Sequence, residues 1–187
     1  IESVDPDRWT ITAQAGVTIE AVQNAAKAVN RVFAPDWGAR GTASVGGGIA
    51  TDAGGNNVVR YGNMRDNVMG IEAVLADGTI WDGRRALVKD SSGYDLKHLF
   101  IGGEGTLGIV TSAVLKLRPA TPYETSLLAA ITGLDALAPL LDLAQQHAPG
   151  TVTAFELMPL VAIDRVVDVF DVVKPLDTDT EYFAPVS

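Results

Sequence analysis

GTASVGGGIATDAGG, residues 41–55, holds six glycines in fifteen positions and nothing bulkier than Ile49. A run so poor in side chains lets backbone N–H groups come up against a ligand, which is how a chain cradles a phosphate. An ordinary hairpin turn needs one or two glycines, so a turn does not account for six. The run is not a lysine-bearing P-loop either. That motif needs a Lys and a Ser or Thr directly after its last glycine, and no Lys lies between Lys27 and Lys89. The stretch is read as a nucleotide-binding loop, with Gly41, Gly46, Gly47, Gly48, Gly54 and Gly55 as bare backbone. Thr42, Ala43, Ser44, Thr51 and Ala53 are the small side chains between them.

Two further segments belong with it. Residues 101–109 read IGGEGTLGI, where Gly103, Gly105 and Gly108 match the spacing G-x-G-x-x-G. That fingerprint must open a helix in a dinucleotide-binding βαβ unit, but IVTSAVLKL follows, β-branched and alternating, which makes a strand. The Rossmann reading is therefore disfavoured. Glu104 is either a solvated loop carboxylate or an acceptor for ribose hydroxyls or main-chain donors. Arg60, Tyr61 and Gly62 form a turn placed to buttress the glycine loop or to border a cofactor. Taken together the three segments imply a flavin nucleotide.

Outward from the glycine loop, the chain reads as mixed α and β. Ile1–Val4 followed by the turn formers Asp5, Pro6 and Asp7 reads as a strand entering a hairpin. Trp9, Ile11, Ala13 and Ala15 alternate with polar residues, the period of a half-buried strand. Ile19, Val22, Ala26 and Val29 recur at helical spacing, with Thr18 as N-cap and Glu20 in the first turn. Val68–Leu75 resumes β character, and Asp77-Gly78 turns the chain back into 79–82. Ser91 or Ser92 is expected to cap a helix running through Leu99. Ile109 to Leu117 is a strand. Beyond Pro119 come a helix from about Asp135, with Pro139 tolerated in its first turn, a strand through Phe155 and a helix from Pro159.

Composition narrows the function. The 187 residues are 47% hydrophobic, enough for a globular core. Fourteen Lys and Arg against twenty-three Asp and Glu give a net charge of −9, which repels phosphate backbones, so no nucleic-acid partner is expected. The longest apolar run, 127–131, falls far short of the roughly 20 residues of a membrane span. With no cysteine there is no disulfide, thiolate metal site, Cys nucleophile or flavin tethered through sulfur. The two histidines, His98 and His147, do not have metal-ligand spacing, and no metal site is expected. The chain starts at Ile1 rather than Met and stops within an extended run, and is read as an internal piece of a larger protein.

GTASVGGGIATDAGG, RYGNMRDNVMGIEAVLADGT, KDSSGYDLKHLFIGGEGTLGIV and AFELMP resemble, in order and spacing, the FAD-linked dehydrogenases of D-2-hydroxy acids. The branch of D-2-hydroxyglutarate dehydrogenase, the glycolate oxidase FAD subunit and D-lactate dehydrogenase is the most similar. The resemblance implies an α+β fold, with residues 1–118 the second lobe of an FAD-binding domain of the vanillyl-alcohol-oxidase type: a mixed or antiparallel sheet with flanking helices. Residues 119–187 would begin a ferredoxin-like substrate cap. It implies that the stretch from Pro35 through Gly55 wraps the pyrophosphate and flavin, that Tyr61 and Gly62 border it, and that Glu104, Gly105 and Ile109 lie near ribose and adenine. Gly48 and Asp52 stand where such proteins commonly have Asn, and a carboxylate added near a diphosphate implies weaker binding.

The activity implied is oxidation of a D-2-hydroxy acid to the 2-oxo acid, with an electron acceptor or carrier as second partner. The family's first FAD lobe would precede Ile1 and its catalytic and metal-binding histidines would follow Ser187. No catalytic residue is therefore expected in this chain, and alone it is expected to be inactive, to hold FAD weakly or not at all and to self-associate as a homo-oligomer. A cytoplasmic location is expected. Two other readings stay open: a noncatalytic flavin-binding or assembly subunit, and a structural piece that binds no cofactor. Reduction of an enolpyruvyl sugar nucleotide on the same FAD fold is disfavoured by AFELMP.

Overall fold

The computed structural model describes residues 1–176, 178 and 180–187, which form two compact units, Ile1–Thr121 and Pro122–Ser187. The first runs β1 (Ser3–Asp5), β2 (Thr10–Gln14), α1 (Ile19–Ala28), β3 (Arg31–Val32), α2 (Val45–Ala50), α3 (Val58–Tyr61), α4 (Met64–Asn67), β4 (Val68–Val74), β5 (Ile80–Asp82), α5 (Lys97–Phe100), β6 (Ile109–Lys116) and β7 (Arg118–Pro119). Its main sheet has the order β1-β2-β6-β4-β5, antiparallel at every step, and β3 with β7 forms a separate antiparallel ribbon. The architecture is α+β, as expected.

The sequence pattern explains most of these elements. Thr18 caps α1, its Oγ1 accepting the Ala21 N–H at 3.2 Å, and the helix buries Ile19, Val22 and Ala26 in one core with Ile11 and Ala13 of β2. The β4–β5 hairpin turns at Asp77-Gly78, where the Asp77 carboxylate accepts the Thr79 N–H at 2.9 Å. β6 lies between β2 and β4, so both its edges are hydrogen-bonded, and Ala113, Val114 and Leu115 are buried. The buried Ser112 hydroxyl donates to the Ala13 carbonyl at 3.3 Å.

Three expectations are corrected. The segment 41–55 is not a loop throughout but contains α2. Ser92 does not cap a helix. Its N–H donates to the Asp90 carboxylate at 3.1 Å, and α5 begins only at Lys97 with no side-chain cap, because the Asx turn at Asp90 claims the serine. No strand runs through Phe155, which makes a single bridge to Val186.

The second unit contains β8 (Leu127–Ile131), a 3₁₀ turn Leu134–Ala136, α6 (Leu137–His147), β9 (Met158–Pro159), α7 (Leu160–Phe170) and β10 (Tyr182–Val186), with the antiparallel order β8-β10-β9. Pro139 falls in the first turn of α6, where a missing N–H leaves no bond unmade. Among the described residues no helix is long and apolar enough to cross a membrane.

Arg84, just beyond β5, ties the sheet edge together. Its Nη2 lies 2.9 Å from Glu72 and 2.8 Å from Asp82, and its Nη1 3.7 Å from Glu2. Bonds from the Arg84 side chain and then from its N–H hold the Asp82 carboxyl at about 2, below the ordinary value of about 3.9. A depressed carboxyl contributes stability that is complete above its unfolded value and is lost as pH falls through about 2. A carbon-detected NMR titration is expected to place the Asp82 midpoint near 2, and Arg84→Met to return it toward about 4. A parent midpoint already near 4 would contradict this account of the sheet edge.

Candidate functional site

α2, Val45–Ala50, is the centre of the site, and its sequence VGGGIA is a poor helix former, since each glycine costs about 1 kcal/mol relative to alanine. Tertiary contacts impose the helix. Ser44 is its N-cap, with Oγ accepting the Gly47 N–H at 3.1 Å. Val45 and Ile49, one turn apart, are fully buried in the core. The N–H groups of Val45 and Gly46 donate to the carbonyls of Val17 and Ala15, both at 2.8 Å, so the first turn is stitched to the end of β2. A Cβ on Gly46 would sit 2.7 Å from the Ala15 Cβ, which is why this position is bare. A Cβ on Gly48 would reach the Trp37 ring at 3.2 Å. Of the three glycines only Gly47 is exposed, with Ser44 Oγ at 3.1 Å as the sole atom a Cβ would meet.

The second glycine cluster closes the other end of α2. The N–H groups of Gly102 and Glu104 donate to the carbonyls of Ile49 and Ala50 at 3.0 and 2.9 Å, taking acceptors that a helix end otherwise leaves unpaired. Glu104 adopts φ 48° to do so and leaves its carboxylate exposed. Two segments about fifty residues apart in the sequence thus meet at one helix terminus.

The residues after RYG lie against the chain leaving α2. Met64 N–H donates to Ala53 O at 2.9 Å, and Arg65 N–H to Asp52 Oδ1 at 2.9 Å. A Cβ on Gly54 would meet Asn63 Oδ1 and Val58 Cγ2 at 3.0 Å each. Gly55, at φ 98°, passes so close to Asp36 that a Cβ would lie 2.0 Å from its carbonyl oxygen. Tyr61 is half-buried, with the guanidinium groups of Arg60 and Arg118 at 5.0 and 5.7 Å from its ring centre. Gly62 turns at φ 71° over Asp66, whose carboxylate closes the capping box with Asn63.

The residues around α2 differ in exposure. Gly41, Thr42, Gly47, Thr51, Gly55, Glu104, Gly105 and Ile109 are exposed, and Ala43, Ser44, Gly46, Ala53 and Gly54 are half-buried. Pro35 and Gly48 are buried, and the Pro35 carbonyl accepts from Gln23 Nε2 at 2.9 Å. The leading N–H groups of α2 are all occupied within the protein, Gly48 donating to Ser44 O at 2.9 Å. Among the described residues, the N–H groups of Gly54 and Gly55 donate to no protein acceptor. Asp52 does not add a free charge here, because its carboxylate accepts from Arg65 Nε at 3.1 Å as well as from its N–H. Bare backbone, small hydroxyl side chains and a neutralised acid fit an elongated nucleotide. Two clefts of about 430 and 540 Å³ include none of the site residues expected from the sequence; the first is lined by residues such as Trp81 and Lys116, and the second, lined by residues such as Lys27 and Arg31, borders the first glycine segment at Asp36, Arg40 and Asn57. Trp37, Asn63 and Arg65 were not singled out from the sequence. Only the pairing of Asn63 with Asp66 three residues on, a capping-box spacing, carried a signal.

A family model described as an FAD binding domain matches residues 1–84. D-2-hydroxyglutarate dehydrogenase of Xanthomonas citri pv. viticola is 49% identical over 128 residues, covering 68% of this chain and 27% of that protein. The enzyme of the same name from Stutzerimonas stutzeri is 34% identical over 184 residues, 98% of this chain and 39% of that protein. The mitochondrial D-2-hydroxyglutarate dehydrogenase of Bos taurus is 47% identical over 112 residues, 60% of this chain and 20% of that protein. This chain therefore spans well under half the length of these relatives. A solved structure of alkyldihydroxyacetonephosphate synthase superposes with a TM-score of 0.74 at 20% identity over all of this chain and 36% of that one, a likeness of fold.

The three glycines of α2 give a sharp contrast in denaturant unfolding. Gly46→Ala is expected to lower stability by about 1–3 kcal/mol, because its methyl overlaps Ala15. Gly47→Ala is expected to cost clearly less, because it gains helix propensity and its methyl meets only the Ser44 hydroxyl, at 3.1 Å. Equal effects at both positions would contradict the packing described here.

Proposed function

We propose that this chain, whose residues 1–84 match an FAD binding domain model, is the FAD-binding portion of a flavin-dependent oxidoreductase that oxidises a D-2-hydroxy acid to the 2-oxo acid. The observation that carries the reading is the meeting of the two glycine segments at the C-terminal end of α2. The substrate class follows the names of the relatives, each a D-2-hydroxyglutarate dehydrogenase. The chemistry a bound FAD would supply is acceptance of the hydride from the substrate's Cα, while the hydroxyl proton would pass to a base that this chain is not proposed to provide.

In this proposal the residues of the chain bind and orient. Gly54 and Gly55 offer N–H groups to the pyrophosphate, and Ser44 and Thr51 stand beside the strip with their hydroxyls. Gly41, Thr42, Ala43 and Gly47 give close access along the rest of the ligand, and Gly46, Gly48, Ala53, Tyr61, Gly62 and Pro35 support that strip from behind. The Glu104 carboxylate accepts from ribose hydroxyls, with Gly105 leaving room and Ile109 supplying an apolar face for adenine. Ile1–Thr121 serves as a lobe of the FAD domain and Pro122–Ser187 as the start of a substrate cap. An electron acceptor or carrier is the second partner. No residue of this chain is proposed as catalytic.

Gly47→Val tests the site. Its branched side chain would project from the exposed Gly47 position of α2 into the proposed ligand's path, and its Cβ would meet only Ser44 Oγ, at 3.1 Å. The variant is expected to keep the parent's circular dichroism and to lose at least about tenfold in FAD affinity by fluorescence titration. The 187-residue chain alone is expected to oxidise D-2-hydroxyglutarate, D-lactate and glycolate with a dye acceptor no faster than a flavin-only blank. Parental FAD affinity in the variant, or turnover above the blank, would contradict the reading.

A further inference from the structure

Arg65 is the residue on which both glycine segments converge. Its backbone N–H and Nε hold the two oxygens of Asp52 at 2.9 and 3.1 Å, on the chain leaving α2. Nη1 donates to the His98 carbonyl at 3.1 Å, and Nη2 donates to the carbonyl of Ile101, where the second glycine cluster begins. Nη1 also faces His98 Nδ1 at 3.2 Å. A guanidinium only donates, so Nδ1 accepts and the ring carries its hydrogen on Nε2, which lies 3.3 Å from Asp95. One planar fork therefore spans Asp52, α5 and the start of the 101–105 turn, which a lysine cannot do.

We propose that Arg65 is a positioning residue for the cofactor site. It locks the segment 101–104 to the segment after α2, so that Gly102 and Glu104 stay on the carbonyls of Ile49 and Ala50. It also keeps the Asp52 carboxylate engaged, so that its charge does not oppose the pyrophosphate of FAD. The second role rests on the FAD reading above. The first does not. The bonds reach from the side chain to main-chain carbonyls on a separate segment, and this long-range span distinguishes the group from an ordinary surface ion pair.

The test compares the parent 187-residue protein with Arg65→Met, Arg65→Lys and the double variant Arg65→Met/Asp52→Asn by two readouts. Native-state amide exchange followed by NMR is expected to speed up by about tenfold or more at Gly102 and Glu104 in Arg65→Met, and less in Arg65→Lys, which keeps charge but not the fork. FAD titration is expected to weaken by about tenfold in Arg65→Met, with part of the loss recovered when Asp52 is also made neutral. Unchanged exchange in both single variants overturns the proposal, and so does unchanged affinity in a parent that binds FAD. A parent that binds no FAD overturns the functional reading instead, and the exchange rates alone then decide the role of Arg65. Arg65→Lys supplies the comparison should the methionine variant fail to fold.

Discussion

The site depends on how closely α2 can approach the end of β2. Two N–H groups of its first turn reach Ala15 and Val17 at 2.8 Å, and only a bare Cα at Gly46 allows that distance. With the helix seated there, Val45 and Ile49 reach the core and the C-terminal carbonyls face the second glycine cluster. The glycines cost helix propensity of about 1 kcal/mol each, and buried contacts offset it. A side chain at Gly46 would lift the helix from the strand and move everything its far end holds.

This bears on what the glycines are for. Clustered glycine suggests backbone offered to a ligand, but here Gly46, Gly48, Gly54 and Gly55 are first explained by the protein's own packing, against Ala15, Trp37, Asn63 and Asp36. The leading N–H groups of α2 are occupied as well, so phosphate binding, in this account, falls to the segment after the helix rather than to its N-terminus. Asp52 changes meaning for the same reason. As a sequence symbol it is an extra acid beside a diphosphate, whereas in the fold it is one partner of Arg65.

Much of the fold was legible. Period-two alternation gave β2 and β6, Thr18 and the apolar spacing gave α1, and Asp77-Gly78 gave the hairpin, because each signal is local. Helix α2 was not legible, since its stability comes from Ala15, Val17, Gly102 and Glu104, all distant in sequence, against an unfavourable local propensity. Ser92 misled because Asp90, two residues earlier, competes for it as an Asx turn. Of the site, the glycine segments could be read from composition, but their meeting could not. Arg65 gave no sign in RYGNMRD, as a guanidinium's partners are set by tertiary geometry.

The measurement that bears most directly on the central claim is an NMR titration of the ¹⁵N-labelled 187-residue protein with FAD, which registers weak binding as well as strong. The account predicts amide shifts concentrated at Gly47, Gly54, Gly55, Glu104 and Gly105, with the cleft around Lys27 and Arg31 unmoved. Shifts centred on that cleft, or none at the glycine segments at saturating FAD, would contradict it.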